Sequence, residues 1–418
     1  MPYQEPKKPR LSVAICGGGI AGLLLAVGLS KYDDIQVNVY EAAERFKEVG
    51  AGVTIWGRAL KILIRMGLDH DMRVAEGVPT DGLHDTSIYF HRAYFLDVLV
   101  KHLPPGIAHF RKRLVRYSKL ESGAVELDFA DGTSATCDVL LGCDGIRSAA
   151  RRQMFETEAT LRNDPELLQY IEPVWSGYIA YRTLVPAELL TSEDGGKHSS
   201  LLSPMLYVGR GKRIITYPVA GGSMCNFAGI ISGDIKSDEK KFDGPWMTEC
   251  EAQEIVDCFA DWEPKVTDMC KLIQLQRPMK WALHEVRKLP FSVNGNVALV
   301  GDAAHAMVPF QASGAAQAIE DAYVLVGLLS HQSTTPANVA GALQAYERVR
   351  LPVAQLVMER STASGRLSGS VAEYEGDYVK LGKEMEKLWD WINDEDPLVE
   401  LERAVRWCYP DDVSLGIA

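Results

Sequence analysis

The chain opens with an apolar run that a cluster of glycines interrupts. Residues 11–15 predict a buried strand, and residues 21–30 predict a helix behind the glycines. Residues 36–40 alternate between apolar and polar side chains and predict a second strand, which ends at Glu41. The pattern therefore predicts one βαβ unit close to the N-terminus.

The middle of the chain changes to short alternating runs separated by Gly, Ser and Pro. Residues 124–129 and 135–141 predict a hairpin around an Asp-Gly turn. Beyond Trp175 the alternation is typical of an antiparallel sheet, which is the basis for a second domain. Its predicted strands are residues 178–185, 205–208, 213–219 and 224–231.

The pattern of the first domain returns after the antiparallel region. Residues 296–300 predict a short apolar strand, and residues 315–329 an Ala-rich helix. Beyond Pro336 the period is helical, over residues 340–360 and 374–393. We expect these last helices to cover the sheet or to form an oligomer contact.

These elements divide the chain into four segments. We expect residues 1–165 to form the first part of a Rossmann-type dinucleotide-binding domain and residues 166–285 an inserted, mostly antiparallel substrate domain. Residues 286–335 return to the first domain, and residues 336–418 form a C-terminal helical region. The predicted fold class is therefore α/β with an inserted sheet domain.

Charge and composition exclude several kinds of partner. The 44 Lys and Arg and the 56 Asp and Glu residues give a formal net charge of −12, which repels nucleic-acid backbones. The eight cysteines form no C-x-x-C pair, and the nine histidines show no spacing typical of a metal site. We therefore expect neither a nucleic-acid partner nor a metal ion.

The first apolar run also has the length of a membrane segment. Residues 11–29 contain Ser12 as their one conventionally polar side chain, and Lys7, Lys8 and Arg10 precede them. The glycines in the run favour a buried strand that turns into a buried helix. We expect no stable membrane insertion and a cytoplasmic protein.

The glycine cluster fits the dinucleotide-binding pattern G-x-G-x-x-G. Gly17 permits the tight turn, Gly19 lets a pyrophosphate approach the backbone, and Gly22 allows the helix to pack on the strand. Ile20 and Ala21 open the helix, whose N-terminus attracts phosphate. Glu41 lies 19 residues beyond Gly22, where an acid can bind a ribose diol.

Two later motifs decide which dinucleotide is expected. VLLGCDGIRS at residues 139–148 and VALVGDAAHAMVPFQASG at residues 297–314 resemble fingerprints of the class A flavin monooxygenases, a family that includes p-hydroxybenzoate and salicylate hydroxylases. The resemblance spans about residues 11–360 and implies noncovalent FAD. It places Asp144 and Gly145 at the pyrophosphate, and Gly301 and Asp302 at the ribityl chain.

Further cofactor contacts follow from the same resemblance. The segment 48–53 and the His91-Arg92 pair match the family, and Phe310 stands where many phenol hydroxylases carry histidine. We also expect Asp302 to be a buried carboxylate that needs hydroxyl or N–H partners. The additional cofactor residues implied are Gly52, Arg92, Pro309, Gly314 and Ala315.

The middle sheet supplies two candidate catalytic residues. Fungal phenol hydroxylases are similar to this chain around Arg182 and Tyr217, where an arginine holds the phenolate and a tyrosine lies near the substrate. Strand alternation lets Arg182 face the pocket only if Tyr181 packs away from it. The alternative is that Arg182 lies on the surface and Tyr217 in the core.

The resemblance implies a monooxygenase that uses NADH or NADPH together with O2. In such enzymes a flavin C4a-hydroperoxide hydroxylates an electron-rich ring, so we expect a small phenolic or salicylate-like substrate. The alternatives are dearomatising hydroxylation of a resorcinol-type polyketide, epoxidation or oxidation of an alkene, and a flavoprotein that only binds or regulates. A monomer and a homodimer are both compatible with the sequence.

Overall fold

The structure is a computed structural model. It describes residues 8–46, 52–77, 87–233, 241–273, 276–369, 374, 376–392 and 395–412.

The N-terminal part alternates strands and helices around the glycine turn. Its elements are β1 (Leu11–Cys16), α1 (Ile20–Leu29), β2 (Ile35–Tyr40), β3 (Gly52–Ile55), α2 (Gly57–Arg65), α3 (Asp69–Glu76), β4 (Ile88–His91), α4 (Arg92–Lys101), β5 (Ala108–His109), β6 (Leu114–Lys119), β7 (Val125–Phe129), β8 (Ser134–Cys137), β9 (Val139–Gly142) and α5 (Ala149–Arg162).

The middle part is rich in strands. Its elements are β10 (Val174–Pro186), α6 (Ser199–Leu202), β11 (Met205–Gly209), β12 (Lys212–Val219), β13 (Met224–Ser232), β14 (Met247–Glu249), α7 (Ala252–Cys258), α8 (Pro264–Leu272) and β15 (Met279–Glu285).

The last part returns to the first sheet and ends in helices. Its elements are β16 (Val293–Asn294), β17 (Val297–Leu299), α9 (Asp302–His305), α10 (Gly314–Ser330), α11 (Val339–Gly369), α12 (Tyr378–Lys387) and α13 (Pro397–Cys408).

Two six-stranded sheets organise the molecule. The first has the order β16-β17-β9-β1-β2-β5 and is parallel except for the β16–β17 pair. The second has the order β11-β12-β13-β10-β15-β14 and is antiparallel throughout. This arrangement confirms the predicted fold class. All strands of the second sheet lie within the segment expected for the inserted domain, although the four-part division itself stays a prediction.

Helices α1 and α10 form the centre of the main core. Every residue of α1 is buried, and α10 is buried from Ala316 to Ser330. Apolar side chains of β1, β2, α2, α4, α11 and α13 pack in the same core. The run at residues 11–29 is thus a buried strand, turn and helix, and no helix in the described ranges combines the length and apolarity that a bilayer crossing requires.

Several predicted elements differ from the observed ones. The strand expected at residues 135–141 is two strands, because Asp138 breaks the run by bonding Ser12 of β1. Strand β8 therefore stays with β7, whereas β9 joins the parallel sheet. Helix α11 continues nine residues beyond the predicted end at residue 360, and α13 was not predicted.

Candidate functional site

Three of the predicted motifs meet at one edge of the parallel sheet. Gly17 follows β1, Cys143 follows β9, and Val300 follows β17, and these three strands are neighbours. The carboxyl ends of parallel strands form the usual ligand crevice of such folds. The topology therefore brings together motifs that lie up to about 280 residues apart in sequence.

A cavity of about 470 Å³, here called the inner cavity, lies between this edge and the antiparallel sheet. A second cavity of about 390 Å³, the outer cavity, lies beside Glu41 and the glycine turn. Gly19, Cys143 and Gly145 line both cavities, so the two adjoin each other.

Most predicted site residues line these two cavities. The inner cavity is lined by Gly19, Ile20, Ala21, Gly52, Arg92, Gly145, Arg182, Tyr217, Gly301, Asp302, Pro309, Gly314 and Ala315. The outer cavity is lined by Gly17, Gly19, Glu41, Asp144 and Gly145. Gly22 lines neither cavity, and residues 48–51 of the predicted segment 48–53 lie outside the described ranges.

A side chain would find open space at one glycine of the turn and would collide with backbone atoms at two others. Gly17 has φ +110°, and a Cβ there would lie 2.2 Å from the carbonyl oxygen of Cys143. A Cβ on Gly22 would lie 2.0 Å from the carbonyl oxygen of Gly17. A Cβ on Gly19 would have no described neighbour within 4 Å. The free space beside the backbone is thus at Gly19, at the N-terminus of α1.

Glu41 ties the end of β2 to the glycine turn. Its carboxylate accepts hydrogen bonds from the backbone N–H of Gly18 and of Ala43, both at 2.7 Å. A carboxylate has about four acceptor positions, so capacity for a ribose hydroxyl remains. The ribose contact itself stays a prediction.

Asp144 caps helix α5. Its carboxylate accepts the N–H groups of Ala149 at 2.7 Å and Ala150 at 3.0 Å, and the hydroxyl of Ser148 at 2.5 Å. Burial raises the pKa of Asp144, and these hydrogen bonds oppose that shift. The carboxylate is thus largely occupied by its own helix, and a pyrophosphate contact from this residue stays a prediction.

The turn at Gly301 is held from behind by helix α10. Gly301 has φ +60°, and its N–H donates to Oδ2 of Asp321 at 3.1 Å. The same oxygen lies 2.6 Å from Nε2 of His305, and Arg350 donates to Oδ1 at 3.0 Å. Burial alone would raise the pKa of Asp321, but His305, Arg350 and Gly301 hold it at about 2.

The expectation that Asp302 is a buried carboxylate is wrong. Its side chain is exposed and lines the inner cavity, because it begins α9 at the cavity wall instead of continuing the buried strand. Within the described ranges no hydrogen bond is made by its carboxylate. Asp302 is therefore available to a hydroxyl-rich ligand.

The antiparallel sheet forms the floor of the inner cavity. Arg182 of β10 lies opposite Ala228 of β13, and Tyr217 of β12 lies opposite Asn226. Tyr181 faces away from the cavity: it is buried and donates its hydroxyl to Glu254 at 2.7 Å. The geometric condition for Arg182 to face the cavity is met.

Tyr217 is buried between residues of the N-terminal part and residues of the middle part of the chain. Its ring lies 4.9 Å from that of Tyr89, and Thr54 hydrogen-bonds to its hydroxyl. Burial raises the pKa of Tyr217 to about 12, against the opposing effects of Arg182 and Thr54. A Cβ on Gly52 would lie 2.5 Å from the Tyr217 hydroxyl oxygen, so glycine is required for this approach.

Two polar residues of the cavity were not predicted from the sequence. Asn226 is buried and accepts the N–H of Gly52 at 2.9 Å, and Thr54 is the partner of Tyr217. A polar residue within an otherwise apolar strand was the available signal for Asn226, because buried amides need partners. Thr54 follows Gly52 by two residues and so lies on the same strand face.

The residues around the cavities fit an extended anionic cofactor such as FAD. Helices α1 and α10 both begin at the inner cavity, and the first N–H groups of a helix have no partner within it. The open side of Gly19 lets a phosphate reach the backbone, and the exposed Asp302 can accept hydroxyl groups. The polar groups that line the outer cavity and those that line the inner cavity both agree with the chemistry of a dinucleotide.

Comparisons with known proteins agree with this geometry. The FAD binding domain family matches residues 247–361. Salicylate hydroxylase of Pseudomonas putida is 36% identical over 420 residues, which cover 93% of each chain. The 6-methylsalicylate 1-monooxygenase of Aspergillus terreus is 34% identical, over 92% of this chain and 89% of that protein.

A solved structure described as a salicylate hydroxylase substrate complex superposes with a TM-score of 0.81. It is 31% identical in sequence, and the match covers 96% of this chain and 98% of the other. Identity at this level over nearly whole chains shows common family membership. The chain therefore belongs to the salicylate hydroxylase-like class A FAD-dependent monooxygenases.

Proposed function

We propose that this enzyme hydroxylates a small phenolic or salicylate-like aromatic substrate, with O2 as co-substrate and NADH or NADPH as reductant. One observation carries the proposal: Arg182 and Tyr217 line the same cavity as the residues that fit FAD. The names of the relatives, which specify salicylate and 6-methylsalicylate, support the same substrate class.

FAD, when bound, supplies the activation of O2. We propose that Gly17, Gly19 and the first turn of α1 hold its phosphates, and that Glu41 binds its ribose. Asp302 would bind the ribityl hydroxyls, and the start of α10 at Gly314 and Ala315 would face the ring system. Gly52, Arg92 and Pro309 would line the remaining wall.

Arg182 would make the substrate ring more reactive. A free phenol has a pKa of about 10, and a cation beside it favours the phenolate at neutral pH. Tyr217, with its raised pKa of about 12, stays protonated at neutral pH and can donate a hydrogen bond to the phenolate oxygen. Arg182 is thus a charge stabiliser, and Tyr217 orients the ring.

The rest of the floor is apolar. Ile215, Ile230 and Leu283 line the cavity beside Ala180 and Ala228. These apolar side chains strengthen the electrostatic effect of Arg182 because they keep the local dielectric low. We expect the substrate ring to lie on this floor, with its polar group towards Arg182.

The test compares Arg182→Gln with the wild type in substrate-dependent oxidation of NADH or NADPH, with product and hydrogen peroxide measured together. The variant should retain FAD and lose about 2 to 3 kcal/mol of charge-assisted contact, which slows hydroxylation roughly 30- to 150-fold. Peroxide should rise as product falls, and the bound pKa of the phenol should move towards its value in water.

Arg210→Gln is the matched control, because Arg210 is an exposed arginine in the same sheet domain. It should behave as the wild type. An Arg182→Gln enzyme with wild-type product yield and pH profile would remove Arg182 from the mechanism. Stimulation by terpenoid alkenes and not by phenols would instead favour an epoxidase.

A further inference from the structure

The phenyl ring of Phe310 is held tightly behind the cavity wall. Phe310 is 9% exposed, and its ring centroid lies 4.8 Å from that of Tyr178 at an interplanar angle of 75°. The guanidinium carbon of Arg213 lies 4.4 Å from the same centroid. A Cβ on Gly365 would lie 2.2 Å from a ring carbon of Phe310, so helix α11 closes the remaining side.

One face of helix α11 carries only small residues at this contact. Ser361, Ser364, Gly365 and Ser368 recur at intervals of three and four residues and share one helix face. Ser361 donates to the carbonyl of Val308 at 2.6 Å, and Ser364 accepts from Gln311 at 3.2 Å. Small side chains allow the helix to approach the segment that contains Phe310.

Arg213 carries a buried positive charge, and its surroundings differ from those of an ordinary ion pair. It is 1% exposed, and its Nη1 donates to the carbonyl of Gly365 at 2.5 Å and to the hydroxyl of Ser368 at 2.8 Å. No carboxylate forms an ion pair with it within the described ranges. Burial lowers the pKa of Arg213, but an arginine remains charged at any physiological pH.

The aromatic faces of Phe310 and Tyr178 therefore complete the surroundings of the Arg213 charge. The guanidinium carbon lies 5.2 Å from the Tyr178 centroid, in addition to its contact with Phe310. Attraction between a cation and an aromatic face is strongest when water is excluded, as it is here. Moving the ring away would leave the cation poorly compensated.

Phe310 is joined directly to the cavity wall. Val308, Pro309 and Ala312 line the inner cavity, and residues 309–311 form a short 3-10 turn. Ala312 has φ +48°, a left-handed conformation that a non-glycine residue adopts only under constraint. A displacement of the Phe310 ring would therefore move the wall that leads into Gly314 and α10.

We propose that Arg213 is a positioning residue that acts through Phe310 to hold the wall formed by residues 308–315 against the cofactor. Arg213 does not line the inner cavity. Its hydrogen bonds to α11 fix the guanidinium, and the guanidinium fixes the ring. The proposal depends on FAD binding and not on the identity of the aromatic substrate.

The experiment uses the holoenzymes of Arg213→Met, Phe310→Leu and the double variant. The readouts are the visible circular dichroism of bound FAD and the dissociation constant for FAD, measured after its removal and readdition. Each single variant should alter the dichroism and raise the dissociation constant about tenfold. The double variant should bind FAD no more weakly than the weaker-binding single variant, because both substitutions break the same contact between Arg213 and Phe310.

Rescue and control variants separate positioning from mere stability. Arg213→Lys keeps a cation over the ring and should restore most of the FAD affinity, whereas the exposed Arg210→Met should have no effect. Ser368→Ala removes one acceptor of the guanidinium and should change the dichroism in the same sense, so the test remains possible if Arg213→Met does not fold.

Wild-type dichroism and FAD affinity in Arg213→Met, with only the thermal midpoint lowered, would overturn the proposal. The proposal would also be overturned if the increases in the FAD dissociation constant caused by Arg213→Met and by Phe310→Leu multiplied in the double variant. A wild-type enzyme that holds FAD but hydroxylates no phenol would refute the proposed function alone, since these readouts concern only the bound flavin.

Discussion

Gly19 and Gly22 belong to one motif, but their surroundings differ. A Cβ at Gly19 would enter open space, whereas a Cβ at Gly22 would collide with the Gly17 carbonyl. Gly19 also has φ −80°, which any residue can adopt. One glycine is thus required by the ligand and the other by the packing of α1 on β1.

Gly19→Val should therefore abolish FAD binding and leave the apoprotein's free energy of unfolding within about 0.5 kcal/mol of wild type. Gly22→Ala should destabilise the apoprotein as well, because its Cβ has no room. Fluorescence titration with FAD and urea unfolding of both apoproteins test the contrast. Equal destabilisation by the two substitutions would refute it.

Asp302 gives a second prediction at the level of one residue. Its carboxylate is exposed and forms no hydrogen bond within the described ranges. Asp302→Ala should therefore leave the apoprotein's thermal midpoint unchanged and reduce the stabilisation that added FAD confers. Thermal unfolding with and without FAD tests this. The same loss of stability in both conditions would assign Asp302 a structural role.

Helix α10 contributes a carboxylate whose ionisation supports the turn before α9. The folded-state pKa of Asp321, about 2, is below its ordinary value of 3.8. An acid with a depressed folded pKa contributes stability above its ordinary pKa and loses it as pH falls through the folded value. That contribution amounts to about 2 kcal/mol and should disappear between about pH 4 and pH 2.

Asp321→Asn should accordingly be less stable than wild type at pH 7, and the difference should shrink as the pH falls from 4 to 2. Urea unfolding across this range measures it. Asp33→Asn, at an exposed aspartate, is the control and should match wild type at each pH. A difference that is independent of pH would show that Asp321 acts without its charge.

At the scale of the whole molecule, a buried ion network joins α13 to α2, α10 and α11. Glu400 of α13 accepts from Arg58 of α2 and from Arg350 of α11, each at 2.5 Å. Both arginines also bond Glu320 of α10. The last helix therefore supplies part of the negative charge that compensates two buried guanidinium groups.

Glu400→Gln should lower the free energy of unfolding by about 3 kcal/mol, because it leaves buried cations undercompensated. Glu402→Gln, on the same helix, breaks only a half-exposed pair with Arg406 and should change stability by less than about 1 kcal/mol. Urea unfolding of the two variants provides the comparison. Similar losses would mean that the network adds nothing beyond a surface pair.

Local patterns were sufficient for much of the fold. The glycine turn with its strand and helix is encoded within about 30 neighbouring residues, and its geometry follows from what glycine permits. Strand alternation also put Arg182 and Tyr181 on opposite faces of their strand, because side chains alternate along any strand. The motifs around Asp144 and Asp302 were recognised by resemblance, whereas α13 and the break at Asp138 were missed.

Only the tertiary structure decided how distant segments share one site. The pairing of β17 with β9 and of β9 with β1 brings Gly301, Gly145 and Gly19 together, and no local pattern encodes which strands become neighbours. The same packing decides the hydrogen bond of Asn226 to Gly52, the contact of Arg213 with Phe310 and the exposure of Asp302. Sequence alone determines which conformations each segment favours, and long-range contacts determine which of its side chains meet.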